Sequence, residues 1–266
     1  MGSNVNHEER AARAWPVLVS AAARGREITY GELANAIGVH HRAVSWLLGP
    51  IQDYCLEEKL PPLTILVVQA GAGRPGGGFI AWDVGDFDEG LRRVCKFDWA
   101  SMGNPFDYAF KAGKTQEALA ASLVNTPERS EEVYTLVRAR GITQRVFRAA
   151  LLRAYRGACA FCGLSFPEAL EGAHIVPWRS CAPHERLDPR NGLLLCSTHH
   201  RLFDADRLTL TTDFVIEHHD AADSEGEYSA ADEHLTRRLH GRRATVPERH
   251  DLRPRTTYIV RRNKMR

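Results

Sequence analysis

The sequence predicts an α+β chain with a helical N-terminal part and a metal-stapled C-terminal part. Residues 28–78 read as a short helix, a glycine turn, a second amphipathic helix, an apolar run and a glycine-rich tip. Residues 130–155 place apolar side chains at helical spacing. Residues 156–206 hold two close pairs of soft ligands, Cys159-x-x-Cys162 and Cys196-x-x-His199, with 33 residues between them.

At 266 residues the chain is long enough for one large domain or two ordinary ones. Its 44% hydrophobic and 26% charged content is that of a soluble globular protein. No apolar run reaches the roughly 18 to 20 residues that span a bilayer, so no membrane partner is expected. MGSNVNHEER lacks the charged-then-apolar plan of a secretory signal, which leads us to expect a cytoplasmic location. A net charge of +2 announces no polyanion by itself, but its distribution is uneven. From His234 onward Arg237, Arg238, Arg242, Arg243 and the later arginines face only Glu248 and Asp251. Such a tail suits phosphates, with a solvated basic terminus as the alternative.

In chain order, residues 7–24 form an alanine-rich helix in which Pro16 marks a kink or a late start. Ile28 to Tyr30 opens a helix through Ile37, Gly38 turns the chain, and His40 or His41 starts a helix carrying Val44, Leu47 and Leu48. Leu63–Val68 reads as a buried strand and Gly71–Gly78 as a hairpin tip bearing Arg74. Helices followed by a hairpin make residues 1–100 a winged-helix-like domain. For DNA recognition, His40, His41, Arg42 and Ser45 would face one groove and Arg74 a second groove or the backbone. The same fold used for dimerisation or as a scaffold is the alternative.

Residues 87–97 and 115–124 can be helical, 99–112 read as loop, and a helix from Ser130 to Arg140 completes a connector over 101–140. The domain boundary falls within residues 100–130, where composition turns polar. The third region is 141–266. In its lead-in helix Val146, Ala149, Leu151 and Leu152 can face a core. Arg145, Arg148, Arg153 and Arg156 then lie outward, either along phosphates or as a solvated face. LTLTTDFVIEHH alternates as strands. GAGRPGGG lacks the lysine-serine ending of a nucleotide loop.

The two ligand pairs can close a tetrahedral shell around Zn²⁺, and a closed shell holds a fold rather than doing chemistry. Cys55 and Cys95 lie in apolar contexts and read as reduced core residues, while Cys181 is the competitor for a zinc position. A disulfide is disfavoured because nothing else suggests secretion.

His174 in AHIVP, Asn191 in DPRNGLLL and His200 in HHRLFD form an ordered set that resembles the HNH, or His-Me finger, nuclease family. The resemblance covers about 60 residues and extends to the zinc-knuckle variant, whose cysteines interleave as they do here. It implies a ββα-metal domain that hydrolyses phosphodiesters, with His174 as general base and Asn191 fixing the loop and the imidazole. Neutral imidazole near physiological pH suits activation of water. One divalent cation can neutralise the transition state and help the departing oxygen. His200 and Asp204, four residues apart on a helix, share a face and suit Mg²⁺, Mn²⁺, Ni²⁺ or Co²⁺. Many family members carry an aspartate or histidine just before the base, where this chain has Ala173. Either His200 and Asp204 hold the ion with waters, or Glu171 reaches in, or binding is weak.

TYGELA, the glycine turn and the glycine-rich stretch ending in Gly-Phe resemble the DNA-binding half of the alkylguanine-DNA alkyltransferases, without that family's reactive Pro-Cys-His-Arg. Together these readings lead us to expect a metal-dependent endonuclease acting on double-stranded DNA, of a bacterial restriction or phage-defence kind. Nothing in the sequence separates a reader of modified bases from one of ordinary sequence. A double-strand cut from one site per chain calls for a homodimer. The rivals are an inactive zinc-stabilised DNA-binding regulator, kept open by Ala173, and a broad nuclease acting on RNA.

Overall fold

In the computed structural model, which describes residues 5–137, 140–220 and 227–266, Asn6 accepts the Glu9 amide and starts helix α1 (His7–Ala23). The first four residues of the N-terminal stretch lie outside the described set. Pro16 sits inside α1, not at a late start, and supplies no N–H for the Ala12 carbonyl. The Asn104 side chain donates to that oxygen at 2.7 Å, so the freed acceptor is satisfied. Packing divides the chain into two units: Met1–Thr115 with Leu136–Ile142, and Gln116–Thr135 with Thr143–Arg266.

In the first unit, strand β1 (Ile28–Thr29) leads into α2 (Tyr30–Ile37), which Thr29 and Glu32 start with a reciprocal capping box. Gly38 ends α2 at φ 67°, a left-handed conformation that glycine adopts without penalty. A single 3₁₀ turn at His41–Ala43 then feeds α3 (Val44–Glu57), which buries Val44, Leu47, Leu48, Ile51 and Tyr54. The expected strand over 63–68 is a 3₁₀ turn through Leu66 followed by a two-residue strand β2 (Val67–Val68). β2 pairs in parallel with β1, Ile28 opposite Val67. Among the described residues the glycine-rich stretch forms turns and no paired wing strands, because its glycines offer no side chains to cover a hairpin. Helices α4 (Phe87–Lys96) and α5 (Asp107–Ala112) complete the unit, α5 lying where a loop was expected. The core centres on Trp15, which meets Tyr54, Trp99 and Phe106 edge-on at 5.7–6.1 Å.

The second unit begins with α6 (Gln116–Asn125) and α7 (Ser130–Leu136); of the helix expected over 130–140, residues 138–139 lie outside the described set. The long helix α8 (Arg140–Ala154) follows. Antiparallel strands β3 (Leu170–His174) and β4 (Gly192–Cys196) then pair from Leu170 opposite Cys196 to His174 opposite Gly192. Helix α9 (Ser197–Asp204) leaves directly from β4. This ββα unit packs its hairpin closely on α8: a Cβ at Gly192 would lie 2.6 Å from Phe147 and 2.8 Å from Leu151. The buried face of α8 is Val146, Phe147, Ala150 and Leu151, whereas Ala149 and Leu152 are only half-buried. Strands β5 (Leu208–Leu210) and β6 (Ile216–His218), then α10 (Ala230–Leu235) and α11 (Thr256–Asn263), close the unit.

The fold is thus a mixture of helices and small two-stranded sheets with a ligand cluster in its C-terminal unit. The basic terminus is folded into that unit and is not a free tail. Arg262 is buried and donates to the Phe203 carbonyl and to Asp206 at 2.7 and 2.8 Å, and Arg261 pairs with Glu185 at 2.8 Å. No helix of the described residues is long and apolar enough to cross a membrane.

Candidate metal centre and active site

Cys159 and Cys162 lie on a tight turn after α8, closed by the Gly163 amide donating to the Cys159 carbonyl at 2.9 Å. Cys196 ends β4, and His199 sits in the first turn of α9. The four ligand atoms lie within 4.8 Å of one another, with His199 Nδ1 3.2 Å from Cys196 Sγ and 3.6 Å from Cys159 Sγ. A tetrahedron with Zn–S of about 2.3 Å has edges of about 3.8 Å, so little movement closes the shell. His199 Nε2 donates to the Leu235 carbonyl at 3.1 Å, which leaves Nδ1 as the lone pair facing the sulfurs.

Burial alone would raise the Cys159 thiol, but the adjoining His199 side chain and the Cys162, Cys196 and Phe161 amides bring it down to about 6. Burial, together with the nearby Cys159 charge, pushes Cys162 up to about 12. One sulfur carries charge at the expense of its neighbours, a conflict that a divalent ion resolves. The donor set, its spacing and the pinned tautomer all fit zinc. Cys181 stays out of this group: its thiol donates to the Val176 carbonyl at 3.1 Å and accepts from Asn191 at 3.2 Å.

His174 ends β3 and is 8% exposed, stacked on Phe147 at 4.0 Å and 12°, with Trp178 edge-on at 5.5 Å. Its Nε2 donates to the Arg186 carbonyl at 3.0 Å, which places the lone pair of the neutral ring on Nδ1. Burial lowers its pKa to about 4; the Arg186 carbonyl opposes that shift and the His200 charge adds to it. Asn191 is fully buried, accepting the Val176 N–H at 2.9 Å and donating to the Glu185 carbonyl at 3.1 Å. It fastens the loop after β3, as expected, but the imidazole itself is held by Arg186.

His200 lies between two carboxylates: its Nδ1 is 2.5 Å from Glu171 Oε2 and its Nε2 is 3.4 Å from Asp204 Oδ2. Strand alternation puts Glu171 and His174 on opposite faces of β3. The His200 charge nevertheless reaches His174 and lowers its pKa. His174, Asn191 and His200 all lie in one ββα unit.

Residues 159–211 match a family model described as HNH endonuclease. The chain carries an HNH endonuclease domain. No curated protein matches the chain. An HNH domain implies a nucleic-acid substrate and the use of a divalent metal, for which the carboxylates around His200 are suitable donors.

The residues expected to touch DNA lie in different settings. His40, His41, Arg42 and Ser45 are exposed at the start of α3, with the two histidine rings 4.2 Å apart. Arg74 is exposed, its guanidinium 4.3 Å over the Phe87 ring. Arg145 and Arg148 are half-buried and not on an open row. Arg148 donates to the Leu170 carbonyl at 2.7 Å and also to Pro167, so it braces the start of the HNH hairpin. Arg153 and Arg156 pair with Glu117 and Glu248.

Sequence reasoning missed three contributors to the HNH site: Phe147 beneath the His174 ring, Trp178 at its edge and the Arg186 carbonyl. Phe147 was visible as the largest apolar residue of its helix. Trp178 follows His174 by four residues and could have been suspected, whereas a carbonyl acceptor leaves no trace in residue identity.

Proposed function

We propose that the chain is a metal-dependent endonuclease of double-stranded DNA, with the HNH domain cutting and the N-terminal unit choosing where. The observation supporting this reading best is a neutral, carbonyl-anchored His174 in the same ββα unit as a His200 flanked by two carboxylates. His174 accepts a proton from water at Nδ1, while the Arg186 carbonyl holds the ring and Asn191 holds its loop. Mg²⁺, Mn²⁺, Ni²⁺ or Co²⁺ held by His200 with Asp204 on one side of the ring, or with Glu171 on the other, would neutralise charge on the scissile phosphate and help the departing oxygen. Cys159, Cys162, Cys196 and His199 hold structural zinc. His40, His41, Arg42, Ser45 and Arg74 meet the duplex from the N-terminal unit and Arg145 meets it from α8, while Arg148 braces the HNH hairpin through the Leu170 carbonyl.

Separate choosing and cutting parts in a compact chain fit a restriction or phage-defence enzyme, and cutting both strands calls for two copies. Ala173 and the buried ring face of His174 favour one second reading, a zinc-stabilised DNA-binding protein without catalysis. Methylated and unmethylated plasmid, incubated with each ion in turn, separates the two. Linear or nicked product that disappears in His174→Ala supports the nuclease. Binding without cutting under every ion supports the regulator, and cutting of RNA alone would replace the substrate assignment.

A further inference from the structure

The first unit contains a cavity of about 470 Å³, within the range of sites that hold small planar ligands. One wall is α3 at Leu48 and Gln52, and the facing wall is the glycine-rich loop 76–78. Gln52 pins that loop, accepting the Ile80 amide at 3.1 Å and donating to the Gly78 carbonyl at 3.4 Å. Tyr30 accepts the Gly76 amide at 3.3 Å, which leaves its own O–H to donate. A Cβ at Gly76 would come 2.8 Å from that hydroxyl, so the loop and the tyrosine meet only because residue 76 is glycine.

The decisive feature is Thr64. Its side chain lines the cavity, the residue is 3% exposed, and its Oγ1 has no hydrogen-bond partner among the described residues. A buried hydroxyl without a partner costs on the order of 1–3 kcal/mol, so a ligand that bonds to it recovers energy already spent. His41, Arg42 and Ser45 also line the cavity and are exposed, which brings cationic and polar groups to its mouth. Largely apolar walls, a few inward polar groups and a basic rim describe a receptor for a flat heteroaromatic ring attached to a phosphate chain.

We propose that this cavity receives one nucleobase turned out of duplex DNA and reads its hydrogen-bonding edge through Thr64 and Tyr30. The inference deepens the endonuclease reading and rests on it for the choice of DNA as partner. It supplies a physical route to base selection, since a base inside the cavity is tested for shape and for its exocyclic groups.

The test uses the full chain without added divalent ion, mixed with fluorescein-labelled duplexes containing 2-aminopurine at successive positions. Anisotropy reports binding, and a rise in 2-aminopurine emission reports an unstacked base. The expected result is an emission rise in wild type that weakens about threefold to tenfold in Thr64→Val, which removes the hydroxyl at constant shape. Gly77→Leu should abolish the rise while anisotropy persists, because a Cβ there meets nothing within 4 Å and the added side chain enters open space. Circular dichroism checks that both variants are folded. Binding by wild type with no emission rise at any position overturns the inference, as does a rise unchanged in both variants. Plasmid cleavage by the wild-type chain is scored separately with each divalent ion: an emission rise without cleavage under any ion keeps the cavity assignment and removes the nuclease, and cleavage without any rise does the reverse.

Discussion

His174 Nε2 and the carbonyl oxygen of Arg186 lie 3.0 Å apart, so a backbone atom decides which ring nitrogen can accept a proton. The loop that supplies this carbonyl is itself held: the Arg186 guanidinium lies 5.0 Å from the Trp178 ring and 5.2 Å from the Tyr134 ring. Replacing Arg186 by Ala releases both rings and lets the carbonyl wander. Cleavage should fall by about tenfold to a hundredfold, in line with the loss of outer partners that orient catalytic groups. A kinetic comparison with Trp178→Phe, which keeps a ring on the guanidinium, tests this: that variant should retain most of the rate.

The burial that keeps His174 neutral also makes the fold acid-sensitive. Its pKa is about 4 in the folded chain against an ordinary 6.5, so between those values the unfolded chain binds more protons than the folded one. Stability from this residue is complete above pH 6.5 and is lost as pH falls toward 4, by about 3 kcal/mol in all. Urea unfolding at pH 7.5 and pH 4.5 should show the loss, reduced in His174→Phe, which has no proton to gain. An imidazole resonance titrating at 6 or above would contradict the buried placement.

A Cβ added at Gly192 would lie 2.6 Å from Phe147 and 2.8 Å from Leu151, closer than real Cβ atoms come. Gly192→Ala should therefore cost about 1–3 kcal/mol by overpacking the hairpin against α8. Phe147→Leu in the same chain should recover part of that loss, measured as the urea midpoint, because it trims the atom that collides. The double variant should still cleave slowly, since Phe147 also supports the His174 ring.

These residues mark how far the sequence was readable. Cys159, Cys162, Cys196 and His199 were legible because metal ligands come in short local pairs, whereas the ββα order came only with the resemblance carried by His174, Asn191 and His200. His200 with Asp204 was legible from helical spacing. The partner of the His174 ring was not, since Phe147 lies 27 residues earlier and only packing brings it there. Thr64 was opaque for a different reason: a threonine in an apolar run reads as a strand residue, and whether its hydroxyl finds a partner is a property of the folded surroundings. Counting arginines near the terminus suggested a polyanion, yet Arg261 and Arg262 spend their donors on Glu185, Phe203 and Asp206. Charge along a chain does not say which charges are already paired.

Zinc removal should dismantle the second unit. A closed thiolate and imidazole shell contributes on the order of 10 kcal/mol in small zinc domains, comparable to an ordinary domain's whole net stability. Atomic emission should find one zinc per chain, and Cys159→Ser or a strong chelator should abolish both the metal and the near-ultraviolet dichroism. His199→Cys should keep zinc, because it restores a soft donor, but it gives up the bond to the Leu235 carbonyl and should loosen α10. Full metal occupancy in the Cys159→Ser chain would mean that the ion sits elsewhere.

Arg262 ties α11 to the end of α9. It is buried, lies 4.8 Å over the Phe203 ring and bonds to both Phe203 and Asp206. Arg262→Ala should destabilise by about 3 kcal/mol, since the carbonyl and the carboxylate lose their donor together. Arg262→Lys should recover only part of it: one nitrogen, Nη2, serves both acceptors, but an ammonium has no plane to stack on the Phe203 ring. Equal stability of the lysine variant and the wild type in urea would reduce the interaction to simple charge.

On the proposed metal-dependent reading, Glu171 and Asp204 compete as the carboxylate partner of an ion on His200. Glu171 approaches His200 Nδ1 at 2.5 Å, on the opposite side of the ring from Asp204 at 3.4 Å, and it lies two residues before Ala173, which offers no donor. Either carboxylate could reach an ion only with one particular nitrogen of His200, so the two cannot serve equally. Glu171 is 47% exposed at its side chain and Asp204 61%, which gives Glu171 the drier position and the stronger pull on a cation. Glu171→Gln should therefore raise the half-saturating Mn²⁺ concentration for plasmid cleavage by about tenfold or more, with the rate at saturating ion largely kept. Asp204→Asn should raise it less. The reverse order of the two effects would place the ion on the Asp204 side and leave Glu171 as the partner that orients His200.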